Sequence, residues 1–452
     1  MSQPTSLWFD QALLPTGWAD DVRITITDGL ISAIEAGVGR RAGEEGGGAT
    51  LPGLSNVHSH AFQRGMAGLT EGRGPGDDDF WTWRELMYRF LDRGGPEEIE
   101  AITTLAFAEM LEGGFTRVAE FHYLHNDVSG AAYGDRAEIA HAVARSAEVT
   151  GIGLTLLPVF YAHATFGGAE PRPGQRRFIH DVPGFADLMD ESRKAVAGLP
   201  DAVIGVAPHS LRAVTPDELA AVTAMTDGPI HIHVAEQTKE VDDCLAWSGQ
   251  RPVEWLMNHA PVDQRWCLIH ATHVTDNEVG RMVASGAVAG LCPVTEANLG
   301  DGIFPASDFV GQGGRFGVGT DSNVMIGAAE ELRCLEYSQR LSRRGRGLMA
   351  GETGSTGRGL FEGALKGGQQ ATLGSSGIEV GQPADLVTLD TGLSAFHGRR
   401  GDALLDTWIM ATPRGAIDGV WRRGERVVTS GRHHGREAME ARFCKALAAI
   451  VG

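Results

Sequence analysis

Two histidines separated by one residue, His58 and His60, are the first feature of this sequence that could do chemistry. They end an apolar run that opens with Pro52-Gly53 and predicts a buried β-strand. Because side chains alternate along a strand, both imidazoles point to one face and can bind one metal ion. The alternative is two unrelated polar residues near a strand end, so the pair alone does not establish a metal site.

A second predicted strand also ends in histidine. In the run from Ile230 to Glu236, His231 and His233 share one face of the strand, and Glu236 follows just beyond it. A carboxylate beside a metal site, not necessarily on the metal, suits a proton shuttle. The pattern does not decide which histidine binds, and we interpret His231 as a hydrogen-bonded core residue.

Two further polar residues, His270 and Asp321, end later predicted strands. Each alone is more often structural, but the four groups together fall at the ends of the first, fifth, sixth and eighth predicted strands. Three imidazoles and one carboxylate suit zinc, with iron, nickel or manganese as alternatives. One coordination position would remain for a water, whose pKa falls to about 7 on the metal. The expected ligands are His58, His60, His233 and Asp321, with His270 and Glu236 as acid–base groups beside them.

The elements that must position these residues alternate between short apolar strands and helical patterns from residue 51 onward. Eight strand candidates followed by helices favour an α/β fold of the (β/α)₈ TIM barrel type, whose active sites lie at the C-terminal ends of the strands. An open doubly wound sheet is the alternative, but the sequence contains neither Gly-x-Gly-x-x-Gly nor a P-loop. The predicted strands are Leu51–His60, Arg117–His122, Ile152–Phe160, Val203–Ala207, Ile230–Ala235, Trp266–His270, Ala287–Leu291 and Phe316–Thr320.

Strand patterns at both ends of the chain predict a second, β-rich unit. Short strands with an Asp28-Gly29 turn occupy residues 6–36, a Gly- and Glu-rich linker covers residues 37–50, and strand patterns return after residue 375. Because neither end has an adequate core of its own, we expect the two to pack on each other. The expected domains are residues 1–50 and 376–452 for this β-rich unit and residues 51–375 for the barrel.

Composition excludes several classes of function. The 452 residues are 42% hydrophobic and 21% charged, as in ordinary soluble enzymes. A net charge of −19 argues against binding to nucleic acid or to an anionic membrane surface. Five scattered cysteines, no signal-peptide pattern and no long apolar stretch indicate a cytoplasmic protein with reduced thiols.

Together these motifs resemble the amidohydrolase superfamily over nearly the whole chain. In that superfamily the fold is a (β/α)₈ barrel with a small β-sandwich made from both termini. Two-metal members use a carbamylated lysine from the fourth strand, and the fourth predicted strand here contains none, so the chain is similar to the one-metal deaminase branch. The motifs that carry the resemblance are Pro52-Gly53-x-x-Asn56-x-His58-x-His60, His233-x-x-Glu236, His270 and Thr320-Asp321.

Within that branch the chain looks most like the formimidoylglutamate deiminases of histidine degradation. The resemblance lies in the residues after the first histidine pair and in the segment that begins at Cys292-Pro293. Nucleobase and nucleoside deaminases usually carry Ser-Asn after this Cys-Pro, where the present chain has Thr295-Glu296-Ala297-Asn298. The resemblance implies zinc-dependent hydrolysis of N-formimino-L-glutamate, a small dicarboxylate, to N-formyl-L-glutamate and ammonia. It also implies one zinc ion per chain and a homodimer.

The resemblance assigns roles to particular residues. Asp321 and His270 would position the attacking oxygen, and either could take its proton, while Glu236 would carry a proton to the leaving nitrogen. From the residues alone, Arg212 can bind a carboxylate by a bidentate fork or lie in a surface ion pair. The implied substrate contacts are Gln63, Arg84, Tyr123, His209 and Arg212.

Two other functions stay open at this point. One is a one-metal deaminase acting on a nucleobase, nucleoside or triazine ring. The other is a non-catalytic scaffold that kept the barrel, although such a protein would be expected to lose metal ligands, and here every expected ligand is present.

Overall fold

The computed structural model of the protein describes residues 4–72, 79–412 and 415–452. The strands of these residues are β1 Thr5–Leu14, β2 Gly17–Thr27, β3 Leu30–Glu35, β4 Glu45–Gly46, β5 Ala49–Pro52, β6 Leu54–Ser59, β7 Phe115–His122, β8 Gly153–Phe160, β9 Val203–Ile204, β10 Ala207–Pro208, β11 Ile230–Val234, β12 Trp266–His270, β13 Val288–Leu291, β14 Arg315–Val318, β15 Leu386–Leu389, β16 Ile417–Arg422, β17 Glu425–Thr429 and β18 Arg432–His433. The α-helices are α1 Phe80–Leu91, α2 Pro96–Glu112, α3 Glu138–Thr150, α4 Val182–Val196, α5 Pro216–Thr223, α6 Thr238–Ser248, α7 Pro252–His259, α8 Asp276–Ser285, α9 Pro293–Leu299, α10 Ala306–Gly311, α11 Ala328–Arg343, α12 Thr356–Thr372, α13 Asp402–Ala411 and α14 Arg436–Val451.

Parallel strands with helices between them form the centre of the molecule. Strands β6, β7 and β8, with the short β9 and β10, make one parallel sheet, and β11 to β14 make a second. Parallel bridges join the two sheets at both edges, between Ser59 and Asp321 and between Val206 and Ile230. The strands therefore follow one another around a ring, and the predicted (β/α)₈ class is confirmed.

Local sequence signals set several helix starts. At α5 the Thr215 hydroxyl accepts the Glu218 amide, and the Glu218 carboxylate accepts the Thr215 amide in return. Thr275 and Glu278 make the same pair of bonds at α8. Each reciprocal cap satisfies two N–H groups that the first turn of a helix leaves without partners.

Two of the predicted barrel strands are each divided in the structure. The run Leu51–His60 is divided at Gly53, because the chain leaves the terminal sheet there and enters the barrel. A Cβ on Gly53 would lie 2.1 Å from the Thr116 hydroxyl, so only glycine fits this crossing. The predicted strand Val203–Ala207 is only the short β9 and β10, separated at Gly205, where a Cβ would lie 2.3 Å from the Pro229 carbonyl.

Strands from both termini join in one nine-stranded sheet. Its order is β18-β17-β16-β15-β5-β1-β2-β3, with β4 also paired to β1. Strand β5 is the link, because it pairs in parallel with β1 and antiparallel with β15. Residues 37–50, predicted as a linker, therefore contain β4 and the start of β5. A buried apolar cluster that includes Phe9, Ile24, Leu386 and Trp421 packs the two ends of the chain together.

A buried ion network connects this sheet to the barrel. Asp201, which precedes β9, accepts Arg117 of β7 at 2.8 Å and Arg422 of β16 at 2.6 Å. Arg422 also pairs with Asp385, just before β15. Within the described ranges no helix is long and apolar enough to cross a membrane, and the five cysteines form no disulfide.

Candidate metal centre and active site

The four expected metal ligands meet at the C-terminal ends of the strands. His58 lies near the end of β6, His60 follows this strand directly, and His233 lies in β11. Asp321 was expected at the end of the last strand, but β14 ends at Val318 and Asp321 lies in the following loop. The ligand atoms of all four residues lie within 4.8 Å of one another, and all four side chains are buried.

The separations between these atoms fit a single small metal ion. Nε2 of His58 is 3.1 Å from Nε2 of His233 and 3.3 Å from Oδ1 of Asp321, and Nε2 of His60 is 3.4 Å from the same oxygen. Two ligands about 2.0–2.1 Å from one tetrahedral zinc ion are about 3.3–3.4 Å apart. The side chains are thus already spaced as ligands.

Hydrogen bonds from the other ring nitrogen orient two of these imidazoles. Nδ1 of His60 donates to the Phe121 carbonyl at 3.0 Å, and Nδ1 of His233 donates to the His209 carbonyl at 2.9 Å. A carbonyl can only accept, so the proton of each neutral ring is on Nδ1 and the lone pair of Nε2 faces the centre. This is how metal-binding histidines are usually held by their outer contacts.

The protonation states also suit metal binding. Burial lowers the pKa of His58 to about 3, and it lowers the pKa values of His60 and His233 as well, so these imidazoles are neutral near pH 7. Burial by itself would raise the pKa of Asp321, but hydrogen bonding to His58 and the nearby imidazoles hold it below its usual value. The site therefore offers three neutral nitrogens and one carboxylate.

His270 and Glu236 lie beside this set, as expected. Nε2 of His270 is 3.8 Å from Oδ2 of Asp321 and 3.7 Å from Oε1 of Glu236. Burial raises the pKa of Glu236 to about 7, against the opposing effects of His270 and Arg212. A carboxyl group that titrates near neutral pH can both accept and release a proton at working pH.

The backbone is strained where the strands end at this site. Five non-glycine residues here have positive φ angles: Ala235 (53°), His270 (66°), Ala271 (47°), Asp321 (46°) and Asn323 (56°). Such left-handed conformations cost about 1–3 kcal/mol each and persist only where the surrounding structure imposes them. They turn the chain sharply after the strand and aim the side chains of His270 and Asp321 inward.

Buried amides join the first and last barrel strands and hold this turn. Asn56 of β6 donates to the Thr320 hydroxyl at 2.7 Å and accepts the Thr320 amide at 3.1 Å. The Thr320 hydroxyl then donates to Asn323 at 2.6 Å, and Asn323 donates to the carbonyls of His60 and Asp321. The two parts of the ligand set are therefore fixed relative to each other.

One pocket opens over the ligand set. All five expected substrate contacts line it, together with Glu236, Asp321 and a wall of aromatic side chains. Nε2 of Gln63 donates to the Tyr123 hydroxyl at 2.8 Å, while the buried Oε1 of Gln63 has no partner within the protein. The expected substrate contacts that line this pocket are Gln63, Arg84, Tyr123, His209 and Arg212.

Two arginines of the pocket lining supply positive charge. The guanidinium carbon of Arg84 lies 4.5 Å from the ring centre of Trp81, and that of Arg212 lies 5.7 Å from it. Nη2 of Arg212 is 3.8 Å from Glu236 and 3.9 Å from Glu240. Both Nε atoms are buried without a hydrogen-bond partner among the described residues, so each can donate to an anionic ligand.

Sequence reasoning missed several residues of the site. Glu296 of α9 accepts from Nδ1 of His270, and Trp81 of α1 stacks on both arginines. The unusual Thr295-Glu296-Ala297-Asn298 segment was the available signal for Glu296. Helix α1 was only an aromatic run in the sequence, and nothing in its pattern indicated that Phe80, Trp83, Met87 and Tyr88 would line the pocket.

Comparison with known proteins gives two matching family models. Residues 49–427 match the amidohydrolase family, and residues 6–48 match the formimidoylglutamate deiminase HutF N-terminal domain. A formimidoylglutamate deiminase of Pseudomonas aeruginosa is 49% identical, over 99% of this chain and 100% of its own length. A 5-methylthioadenosine/S-adenosylhomocysteine deaminase of Nitratidesulfovibrio vulgaris is 27% identical, over 86% of this chain and 85% of its own length. The crystal structure of an amidohydrolase from Brucella melitensis superposes with a TM-score of 0.95 at 53% identity, over 99% of this chain and 100% of that one.

Proposed function

This chain belongs to the amidohydrolase family and, within it, to the formimidoylglutamate deiminases, and we propose that it hydrolyses N-formimino-L-glutamate to N-formyl-L-glutamate and ammonia in histidine degradation. The observation that carries this proposal is one pocket lined both by residues of the metal-ligand set (His60, His233 and Asp321) and by two arginines. The full-length likeness to the Pseudomonas aeruginosa deiminase supports the same reaction.

The pocket matches the chemistry of this substrate. N-Formimino-L-glutamate has a formimino carbon at one end and two carboxylates. Arg84 and Arg212 can each present a planar fork to a carboxylate, and aromatic side chains line the pocket around them. Tyr123 is a neutral phenol near pH 7, and its hydroxyl, which donates to Sδ of Met87 at 3.2 Å, can donate instead to a carboxylate. Gln63 offers its unpartnered carbonyl oxygen to an N–H group of the substrate.

The metal expected at the ligand set is one zinc ion per chain. His58, His60, His233 and Asp321 would hold it, because three imidazole nitrogens and one carboxylate oxygen suit zinc in particular. When bound, the ion acts as a Lewis acid and lowers the pKa of water to about 7.

Different residues of this chain carry out the individual proton transfers. Asp321 and Nε2 of His270 face one another at 3.8 Å and orient the attacking water, and one of them accepts its proton. The water oxygen bonds to the formimino carbon. Glu236, whose pKa lies near 7, then gives a proton to the formimino nitrogen. Glu236, now deprotonated, takes the remaining proton from the hydroxyl oxygen and passes it to the same nitrogen. The C–N bond breaks, ammonia departs, and the oxygen remains as the formyl carbonyl, while the proton held by Asp321 or His270 returns Glu236 to its acid form.

Release of ammonia by the zinc-loaded protein tests this proposal. We expect N-formimino-L-glutamate to be hydrolysed with a kcat/KM at least about a thousandfold above that for guanine, cytosine or S-adenosylhomocysteine, since guanine and cytosine carry no carboxylate and that of S-adenosylhomocysteine lies far from its reacting ring. Ammonia from a ring substrate and none from N-formimino-L-glutamate would contradict the proposal. Asp321→Ala is the inactive control, and Asp308→Ala, on the surface helix α10, is the matched active one.

We also propose that the protein is a cytoplasmic homodimer. The five free cysteines suit a reducing compartment. One groove contains four apolar side chains that are 42–79% exposed, Ile303, Met325, Tyr337 and Leu341, and such a patch is typical of a protein interface. Sedimentation should show a dimer that Leu341→Glu dissociates and that Val149→Glu, on the separate helix α3, leaves intact.

A further inference from the structure

Glu296 is a buried carboxylate for which the proposed reaction has no assigned role. It lies in the first turn of α9 and is only 6% exposed. Its Oε1 accepts the backbone amide of Cys292 at 2.8 Å and faces Nδ1 of His270 at 3.2 Å. Burying a carboxylate costs free energy unless its oxygens are hydrogen-bonded, so these two contacts account for its position.

These contacts determine the tautomer of His270. A backbone amide can only donate, so Oε1 of Glu296 acts as an acceptor toward Cys292. The ring nitrogen that faces the same oxygen must then be the donor. A neutral His270 therefore carries its proton on Nδ1 and keeps a lone pair on Nε2.

The surroundings of Nε2, on the other side of the ring, indicate the role of this tautomer. Nε2 of His270 is buried, has no hydrogen-bond partner within the described protein, and faces Asp321 and Glu236 at 3.8 Å and 3.7 Å. The left-handed backbone of His270, with φ 66°, directs the side chain inward, and the contact of Nδ1 with Glu296 gives the far side of the ring a fixed partner.

We propose that Glu296 is a positioning residue, which holds His270 as the Nδ1–H tautomer with Nε2 aimed at the water that attacks the substrate. This inference rests on the proposed hydrolysis. Glu296 itself does not line the substrate pocket. Its loss should therefore lower kcat and leave KM nearly unchanged.

Substitutions at Glu296 test the role through the kinetics. Glu296→Met keeps the volume but removes the acceptor, and we expect kcat to fall about 10–100-fold with KM changed less than about twofold, as for other outer contacts of catalytic histidines. Glu296→Gln keeps an acceptor oxygen and should restore most of kcat. Bound zinc per chain should stay at the wild-type value in both variants, because His270 is not among the expected ligands.

A double-mutant cycle separates positioning from structural support. In a His270→Asn background, Glu296→Met should change the residual kcat by less than about twofold, because the partner through which it acts is gone. An equal loss in both backgrounds would overturn the proposal. Glu331→Gln is the matched control, since Glu331 accepts the Val294 amide and supports the same helix without contacting His270. A fall in kcat in Glu331→Gln as large as that in Glu296→Met would also overturn the proposal.

The wild-type protein provides a test that needs no variant at Glu296. Nitrogen-15 NMR of the histidine-labelled zinc protein, with the His270 signal assigned by its absence in His270→Asn, should show the Nδ1–H tautomer. The Nε2–H tautomer would overturn the positioning role even if the enzyme is active. An inactive wild-type enzyme with the expected tautomer would instead contradict the proposed function alone.

Discussion

Two histidines on the same face of β11 have different surroundings. His231 lies at the start of the strand, where its Nε2 bonds to the Ala371 carbonyl at 2.8 Å inside the barrel. His233 lies two residues closer to the C-terminal end, and its Nε2 reaches His58 at 3.1 Å. Position along the strand therefore separates a core residue from a ligand, in agreement with our interpretation of His231.

Metal analysis of two matched variants checks this difference. We expect His233→Asn to weaken zinc binding by more than about 100-fold, because the loss of even an outer contact of a ligand costs 10–100-fold. His231→Asn should keep about one zinc ion per chain and lose only stability. Equal metal loss in both variants, measured by elemental analysis after dialysis, would contradict the assignment of His233.

Arg212 is the second residue whose geometry makes a specific prediction. Its guanidinium lies over Trp81 and lines the pocket. Arg212→Lys keeps the charge but loses the planar fork, so we expect KM for N-formimino-L-glutamate to rise about tenfold or more, with a smaller change in kcat. A tenfold rise corresponds to a loss of about 1.4 kcal/mol of binding free energy. Arg265→Lys, at the opposite end of the barrel beside Asp263, should leave both constants unchanged. An unchanged KM in Arg212→Lys would show that Arg212 does not bind the substrate.

Among the elements, the contact between β6 and the segment that follows β14 is the one that brings Asp321 to the other ligands. Gly319 makes it possible, because a Cβ there would lie 2.7 Å from both the backbone nitrogen and the carbonyl oxygen of His58. Real Cβ atoms do not approach backbone so closely. The residue directly after the last strand must therefore be glycine if Asp321 is to reach the ligands of the first strand.

Gly319→Ala should push the two strands apart. We expect the free energy of unfolding in urea to fall by about 1–3 kcal/mol, as in overpacked cores, and the bound zinc to decrease. Gly280→Ala is a control of opposite sign, because Gly280 lies in helix α8 with open space around it and alanine favours helices by up to about 1 kcal/mol. Full zinc occupancy and unchanged stability in Gly319→Ala would show that the strands tolerate separation.

For the whole molecule, the ion network between barrel and terminal sheet ties the two ends of the chain to the catalytic unit. Burial alone would raise the pKa of Asp201, but Arg422 and Arg117 lower it below its usual value. The folded protein thus binds this proton less readily than the unfolded chain, whose aspartates titrate near pH 3.9. The stabilisation is complete above that pH and is lost as the pH falls through the lower folded value.

Asp201→Asn tests this linkage. At pH 7 we expect the variant to be less stable by roughly 2 kcal/mol, because two buried guanidinium groups lose a charged partner. The difference from the wild type should shrink as the pH falls below about 4 toward the lower folded pKa, measured by urea unfolding at each pH. A difference independent of pH would mean that the ionisation of Asp201 contributes nothing.

The sequence by itself predicted the barrel and the four expected ligands, which the structure brings together. Alternating strands and helices, with histidines at strand ends, predict these features because side-chain alternation and parallel pairing are local rules. The class of reaction followed from the family resemblance of the motifs. The limits of one predicted strand, Trp266–His270, agree fully with the structure, since a short apolar run marks them. The terminal strands were also predicted, but not the single sheet that unites them.

Only the tertiary structure decided the contacts between distant segments. Glu296 reaches His270 across 26 residues, and Asp201 joins arginines that are far apart in the chain. Strand ends at Gly53 and Val318 depend on which neighbour each backbone meets, and the aromatic helix α1 lines the pocket because the fold places it there. Local patterns specify the direction of a side chain relative to its own element, whereas its partners depend on how the elements pack.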